Sequence, residues 1–374
     1  MISYLRSKFG EIHNIRGSNL SQKVIVIESD DWGSIRMPDK STYHKLLGKG
    51  IRVDDCPYMK YDSLADDKDI TSLFEVLDSV HDFNGNTPVL TANCVMANPD
   101  FDKIKKSEFT EYHYELFTET LKKYPNHNSS FELWCKGIEN KLFFPQFHGR
   151  EHLNVMRWMR ALRENMPETR LAFDLKLFAV SKSITTENRQ SYLEAYALDG
   201  DDTSGIVDII RDGLRLFENV FGFPSRSFVA PNYMWPNYIE EYLSDMGVKY
   251  IQGIRIQFAP NPNTGKTEKI GHYSGQKNKH GQVFLIRNCS FEPSLSPHLN
   301  STDRCLKQID SAFRWGKPAI IASHRLNYIG SIDASNRERN LKQLSELLHA
   351  IIKKWPDIKF LTTPELGDII NNHT

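Results

Sequence analysis

Two adjacent carboxylates and two histidines four residues apart are the groups in this chain best suited to chemistry. Asp30 and Asp31 follow the β-branched run KVIVIE at 23–28, and His148 and His152 bracket the sequence HGREH. Two neutral imidazoles and a carboxylate form a donor set for Zn²⁺ that leaves one position open to water or substrate. Each motif alone has a plainer use: an Asp-Asp pair hydrates or caps a turn, and HxxxH can be an exposed helical pair or packed rings. Their placement gives them weight, because both follow candidate strands and a third polar strand end, SHRLNY, carries His324. Neighbouring strand residues point to opposite faces, so both aspartates reach one cavity only if the strand ends there. The two histidines share a face if HGREH is helical.

The elements that must position these groups alternate between strand and helix patterns. An amphipathic opening at 2–15 precedes the strand 23–28, and helices are predicted around 39–47 and 69–82. TPVLTANCV at 87–95 reads as a strand, 107–123 as a helix and KLFFPQFHG at 141–149 as a short aromatic strand leading into a helix over 152–164. After the apolar run 171–180 come a helix near 204–220, the strand SRSFVAP at 225–231, a glycine-stopped helix over 236–247 and the strand VKYIQG. QVFLIRNCSFEP reads as another strand, Ser301 and Thr302 as the cap of the next helix, and PAIIASH at 318–324 as the clearest late strand. A helix around 335–354 and IKFLTTPEL at 358–366 close the series. This alternation predicts a parallel sheet with crossover helices, a single distorted (β/α) barrel over 1–374 with an extension at 1–22 and inserted loops at 48–68 and 259–282.

Composition excludes several classes. Lys+Arg and Asp+Glu are equal at 47 each, which argues against a generally basic nucleic-acid surface. No segment has the roughly 18 apolar residues of a membrane span, and no signal-like apolar stretch precedes the first strand. The cysteines Cys56, Cys94, Cys135, Cys289 and Cys305 form no CxxC pair, so a reduced cytoplasmic setting is expected. GKTEK at 265–269 lacks the glycine spacing of a P-loop and no dinucleotide fingerprint is present, which disfavours nucleotide chemistry.

Taken in order, the motifs resemble those of the polysaccharide deacetylase superfamily, the NodB-homology carbohydrate esterases. DDWG at 30–33 resembles its Asp-Asp signature, HGREH has its HxxxH spacing, and SFVAPNY at 227–233 looks like a diverged Arg-Pro loop. ASHRL at 322–326 stands where its catalytic histidine falls, and FLTTPEL at 360–366 resembles its last strand-to-helix segment. The likeness spans about 23–370. It implies a barrel related to the family's seven-stranded one, Asp31, His148 and His152 as ligands of a divalent metal, zinc above others, Asp30 as general base and His324 as general acid. The implied reaction is removal of an acetyl group from an N- or O-acetylated saccharide or glycoconjugate. The alternatives are a glycoside hydrolase pairing Asp30 or Asp31 with Glu292 across the bond, and a non-catalytic carbohydrate-binding relative.

One departure concerns the third motif. Where the family has arginine this chain has Val229 or Ala230 beside Pro231, and Arg287, Arg325 or Arg150 is left to supply the charge. Arg287 and Glu292 either support the site or pair structurally. Trp32, Tyr233 and Trp235 either face a sugar or pack, and Arg150 either orients site groups or forms a surface salt bridge.

Overall fold

The computed structural model describes residues 14–180, 191–198 and 204–373. Nearly all of the opening amphipathic segment, and with it most of the extension 1–22, lies outside the described residues. Nine strands form one parallel sheet: β1 (Val24–Trp32), β2 (Leu90–Val95), β3 (Phe143–Gly149), β4 (Ser227–Val229), β5 (Tyr250–Gly253), β6 (Val283–Ile286), β7 (Cys289–Ser290), β8 (Ala319–His324) and β9 (Lys359–Phe360). Their spatial order is β6-β5-β4-β3-β2-β1-β8-β7, with β9 paired to the start of β1. The two ends of this path, β6 and β7, are joined by Arg287 and Asn288 alone. Three peptide steps reach at most about 11 Å, so the sheet must curl until its edges nearly meet. The result is the distorted (β/α) barrel that the alternation predicts.

β1 shows how the barrel divides its residues. Every residue of the strand is buried, as expected where helices cover a parallel sheet. Ile25 and Ile27 join the large outer core under the helices, whereas Val24 and Val26 face inward with Tyr250, Val283, Leu285 and Ile320. The same period of two sends Glu28 and Asp30 into the interior. Seven of the helices are α1 (Asp67–Asp78), α2 (Ser130–Glu139), α3 (Val155–Arg163), α4 (Ser204–Phe221), α5 (Ser301–Arg314), α6 (Ala334–Lys354) and α7 (Thr363–His373). Leu366 and Ile370 of α7 pack into the inner apolar cluster and seal the amino end of the barrel. Close approach requires Gly367, since a Cβ there would stand 2.5 Å from the Tyr250 ring. The interior is therefore apolar at one end and polar at the other.

Several sequence expectations are corrected. The stretch 107–123 is not one helix: a helix at Phe101–Lys106 ends, Glu108 and Phe109 take positive φ, and Tyr114–Leu116 pairs antiparallel with Ala97–Pro99 before a second helix at Phe117–Lys123. The aromatic, β-favouring residues Tyr112 and Tyr114 explain the interruption. α5 is capped by Asn300, whose side chain accepts from the Asp303 amide at 3.0 Å, while Ser301 and Thr302 lie inside the helix. QVFLIRNCSFEP forms two strands rather than one, split at Arg287. The excursion 259–282 contains most of an antiparallel hairpin, Ile256–Asn261 with Lys266–Gly271, and 48–68 holds the short helical turns Val53–Asp55 and Pro57–Tyr61.

Candidate active site

The two aspartates face one cleft through a backbone irregularity rather than a strand end. β1 continues to Trp32, but its register against β2 shifts between Ser29 and Trp32, and Asp31 has φ 74°. A non-glycine residue in this left-handed region is uncommon, and here it turns a side chain that would face the outer helices back to the side of Asp30. Trp32, the next residue, packs edge-on against Trp134 of α2 and Phe143, and its indole donates to Ser29 Oγ at 2.9 Å. It serves as packing and not as a sugar platform.

His148 is the penultimate residue of β3 and His152 lies in the loop before α3, so HGREH is not helical. Gly149 makes the turn between them: its φ is 143°, and a Cβ there would meet the Tyr196 hydroxyl at 2.9 Å. The Nε2 atoms of His148 and His152 lie 3.6 and 3.4 Å from Asp31 Oδ1, and the ligand atoms of all three residues fall within 4.8 Å of one another. His148 Nδ1 donates to the Val229 carbonyl at 2.8 Å, which fixes the tautomer with a lone pair on Nε2. That Nε2 and Asp31 Oδ1 are buried without a hydrogen-bond partner among the described residues, as is His152 Nδ1. Burial holds the His152 pKa down to about 3, so its ring is neutral. Burial would raise Asp31, but the Arg36 guanidinium outweighs it and keeps the carboxyl ionised. Two imidazoles and one carboxylate, two of them presenting orphaned atoms to a common point, fit a divalent cation.

Asp30, by contrast, is saturated. Arg287 donates to both its oxygens, Nη1 to Oδ2 at 2.6 Å and Nη2 to Oδ1 at 2.7 Å, and Asn93 Nδ2 adds a bond of 2.8 Å. The same guanidinium donates from Nε to Glu28 at 2.6 Å and from Nη1 to the Tyr233 hydroxyl at 2.9 Å. Burial opposes the charge on Asp30, yet Arg287 overcomes it and holds the carboxyl far below its ordinary value. Of the three arginines considered for the charge beside Asp30, it is Arg287, from the seam between β6 and β7, that pairs with it. Behind Asn93 a buried ladder continues through Gln252 and Ser227 to Gln146.

His324 closes the cleft from the end of β8. Its Nδ1 lies 2.6 Å from Glu292 Oε1, and its Nε2 3.9 Å from Asp30 Oδ2. Burial disfavours the imidazolium, but Glu292, helped by Asp30 and Asp31, raises the pKa to about 9. The other Glu292 oxygen accepts from Asn327 at 2.7 Å, so Glu292 is a tether for His324 and not a free carboxylate facing Asp30. Tyr233 reaches the cleft because Asn232 and Tyr233 both have φ 54° after Pro231, which is itself buried.

The remaining expected residues lie elsewhere. Arg150 pairs with Glu151 and with Asp212 of α4, and Trp235 is buried with its indole on Glu240. Arg325 is fully buried and forks onto Asp62 with two bonds of 3.0 Å, supporting the cleft from behind. Sequence reasoning missed Arg36, Tyr58, Asn93 and Asn232. Arg36 and Tyr58 line the cleft of about 120 Å³ with the triad, Asp30 and His324. No spacing signal marks them.

The fold and the site together define a class: a curled parallel-sheet α/β protein with an Asp-His-His cluster, and Asp30 facing His324, at the carboxyl ends of its strands. No protein-family model matches the chain, and no curated protein matches it. Among solved structures it is similar to a Mycobacterium smegmatis protein described as a polysaccharide deacetylase, at 10% identity over 96% of this chain and 94% of that one, with a TM-score of 0.46. A Parabacteroides distasonis protein described as a glycoside hydrolase/deacetylase matches at 8% identity, over 94% and 71% of the two chains, with a TM-score of 0.49. A CE4 family pseudoenzyme from Bacillus anthracis matches at 9% identity, over 94% and 68%, with a TM-score of 0.37. Among the described residues, no helix is long and apolar enough to cross a membrane.

Proposed function

We propose that this chain is a metal-dependent hydrolase that removes an acetyl group from an N- or O-acetylated sugar or glycoconjugate. The observation that carries the reading is the convergent ligand set of Asp31, His148 and His152, with Asp31 Oδ1 and His148 Nε2 orphaned, between a carboxylate held ionised and an imidazole held protonated. Asp31 and the two histidines would hold the cation, zinc by the two-imidazole, one-carboxylate donor set. When bound, such an ion acts as a Lewis acid on the acyl oxygen and lowers the pKa of water.

The chain's own groups divide the proton work. Asp30 accepts the proton of the attacking water, and Arg287 with Asn93 keeps its oxygens oriented toward the cleft. His324 delivers a proton from Nε2 to the departing amine or alkoxide as the C–N or C–O bond breaks, giving acetate and the free sugar group. Glu292 holds Nδ1 and so aims Nε2 inward. We place the protein in a reduced, cytoplasmic compartment, in keeping with its five unpaired cysteines. The test is metal content by elemental mass spectrometry together with acetate release from acetylated saccharides, before and after chelation. About one equivalent of zinc and chelator-sensitive acetate release are expected. Protein that takes up no divalent ion, or that releases acetate equally well after chelation, would refute the reading.

A further inference from the structure

Three arginines approach the cleft, and their hydrogen bonding differs. Arg287 makes four bonds to Glu28, Asp30 and Tyr233, and Arg325 makes three to Asp62 and the Ser34 carbonyl. Arg36 makes one, a long contact of 3.4 Å from Nη2 to Asp31 Oδ2. Its Nε lies 3.7 Å from Asp62 Oδ2, beyond hydrogen-bond reach, and is buried without a hydrogen-bond partner among the described residues, while Arg325 donates to both Asp62 oxygens. Yet the Arg36 side chain is only 6% exposed and lines the cleft beside Tyr58, with the guanidinium carbon 5.8 Å from that ring. Burying a guanidinium with donors unmet is unfavourable, and a planar carboxylate meets such a fork with two parallel bonds.

The charges around the cleft point the same way. Arg287 is balanced by Glu28 and Asp30, and Arg325 by Asp62. Arg36 shares Asp62 with Arg325, at 3.7 Å, and otherwise faces Asp31, the carboxylate assigned to a cation, so an occupied triad leaves Arg36 the least compensated of the three arginines. We propose that Arg36, flanked by Tyr58, binds a carboxylate on the substrate, so that the favoured substrates are acetylated acidic sugars rather than neutral ones. The inference rests on the deacetylase reading and deepens it. The cleft is small, about 120 Å³, so the carboxylate and the acetyl group belong to one sugar residue.

The experiment titrates the protein as purified, by calorimetry, with the methyl glycosides of N-acetylglucosaminuronic acid and N-acetylglucosamine, which differ only at C6. Wild type is expected to bind the acid at least about 10-fold more tightly. Arg36→Gln should bring the two within about twofold, and Arg36→Lys, which keeps the charge but not the fork, should fall between. Circular dichroism and metal content of the variants separate a lost contact from a lost fold, and the wild-type comparison stands without them. Equal binding of the two sugars by wild type overturns the proposal. So does an acid preference that survives Arg36→Gln, and a preference that vanishes on chelation while Arg36→Gln leaves it intact places the carboxylate on the metal. Acetate release, measured separately, tests the underlying hydrolase: it can fail while the acid preference holds, and the reverse is equally readable.

Discussion

Asp30 and Asp31 are neighbours in sequence, share one cleft and are both held ionised, yet they differ in how their oxygens are bonded. Asp30 has every oxygen bonded by Arg287 and Asn93, whereas Asp31 presents an oxygen that nothing in the described protein meets. The saturated wall is already rigid before any ligand arrives, as a proton acceptor must be if its geometry is to survive turnover. The unsaturated wall is incomplete by design of its donor set, and a buried polar atom without a partner marks where a ligand atom belongs.

The contrast can be broken from either side. The largest effect is expected on the unsaturated wall: replacing His148 and His152 together by Ala should abolish zinc uptake and lower kcat/KM by about 10³-fold or more, several kcal/mol of lost charge stabilisation. Retained zinc in that variant would break the assignment. On the saturated wall, Asp30→Asn should cost about 10²–10⁴-fold in kcat while the zinc equivalents measured by mass spectrometry stay unchanged. Arg287→Met should act on stability, since it leaves Glu28 and Asp30 buried without their cation. Urea unfolding at pH 7 should show a loss of about 3–5 kcal/mol. That gap should narrow as pH falls and the stranded carboxylates take up protons.

The smallest effect sharpens the picture by pH. His324 is raised from 6.5 to about 9, so its proton, and the stabilising pair with Glu292, is fully present below 6.5 and lost as pH rises through about 9. The pH–rate profile should therefore descend near 9. Glu292→Gln removes the principal raising influence and should move that limb toward acid, with kcat at pH 8 down by about tenfold. A limb that stays in place would separate Glu292 from the titration of His324.

How much of this could be read from sequence depends on the range of the cause. Asp31, His148, His152 and His324 were legible because strand ends and short spacings are local, and parallel α/β sheets gather their strand ends at one edge. The route to the cleft was not: it needs a left-handed Asp31 and a Gly149 turn, where strand termination and a helix were expected. Trp32 and Trp235 were ambiguous because an indole packs and stacks equally well, and only neighbours such as Trp134 and Glu240 decide. The choice of Arg287 over Arg325 and Arg150 depends on curling of the whole sheet, which no window of sequence contains. Arg36 went unnoticed because its meaning lies in bonds it does not make.

The two-residue seam that carries Arg287 also dictates an order of events during synthesis. Glu28 and Asp30 precede Arg287 by 259 and 257 positions. At about 5–20 residues per second, their charges leave the ribosome roughly 10–50 s before the guanidinium that neutralises them is made. Through that interval the first strand cannot be buried at low cost, so β1 should wait for the late strands instead of nucleating the sheet. A nascent chain truncated before residue 287 should accordingly remain protease-sensitive at its amino-terminal third, and its protection should appear in a single step once the seam has been translated.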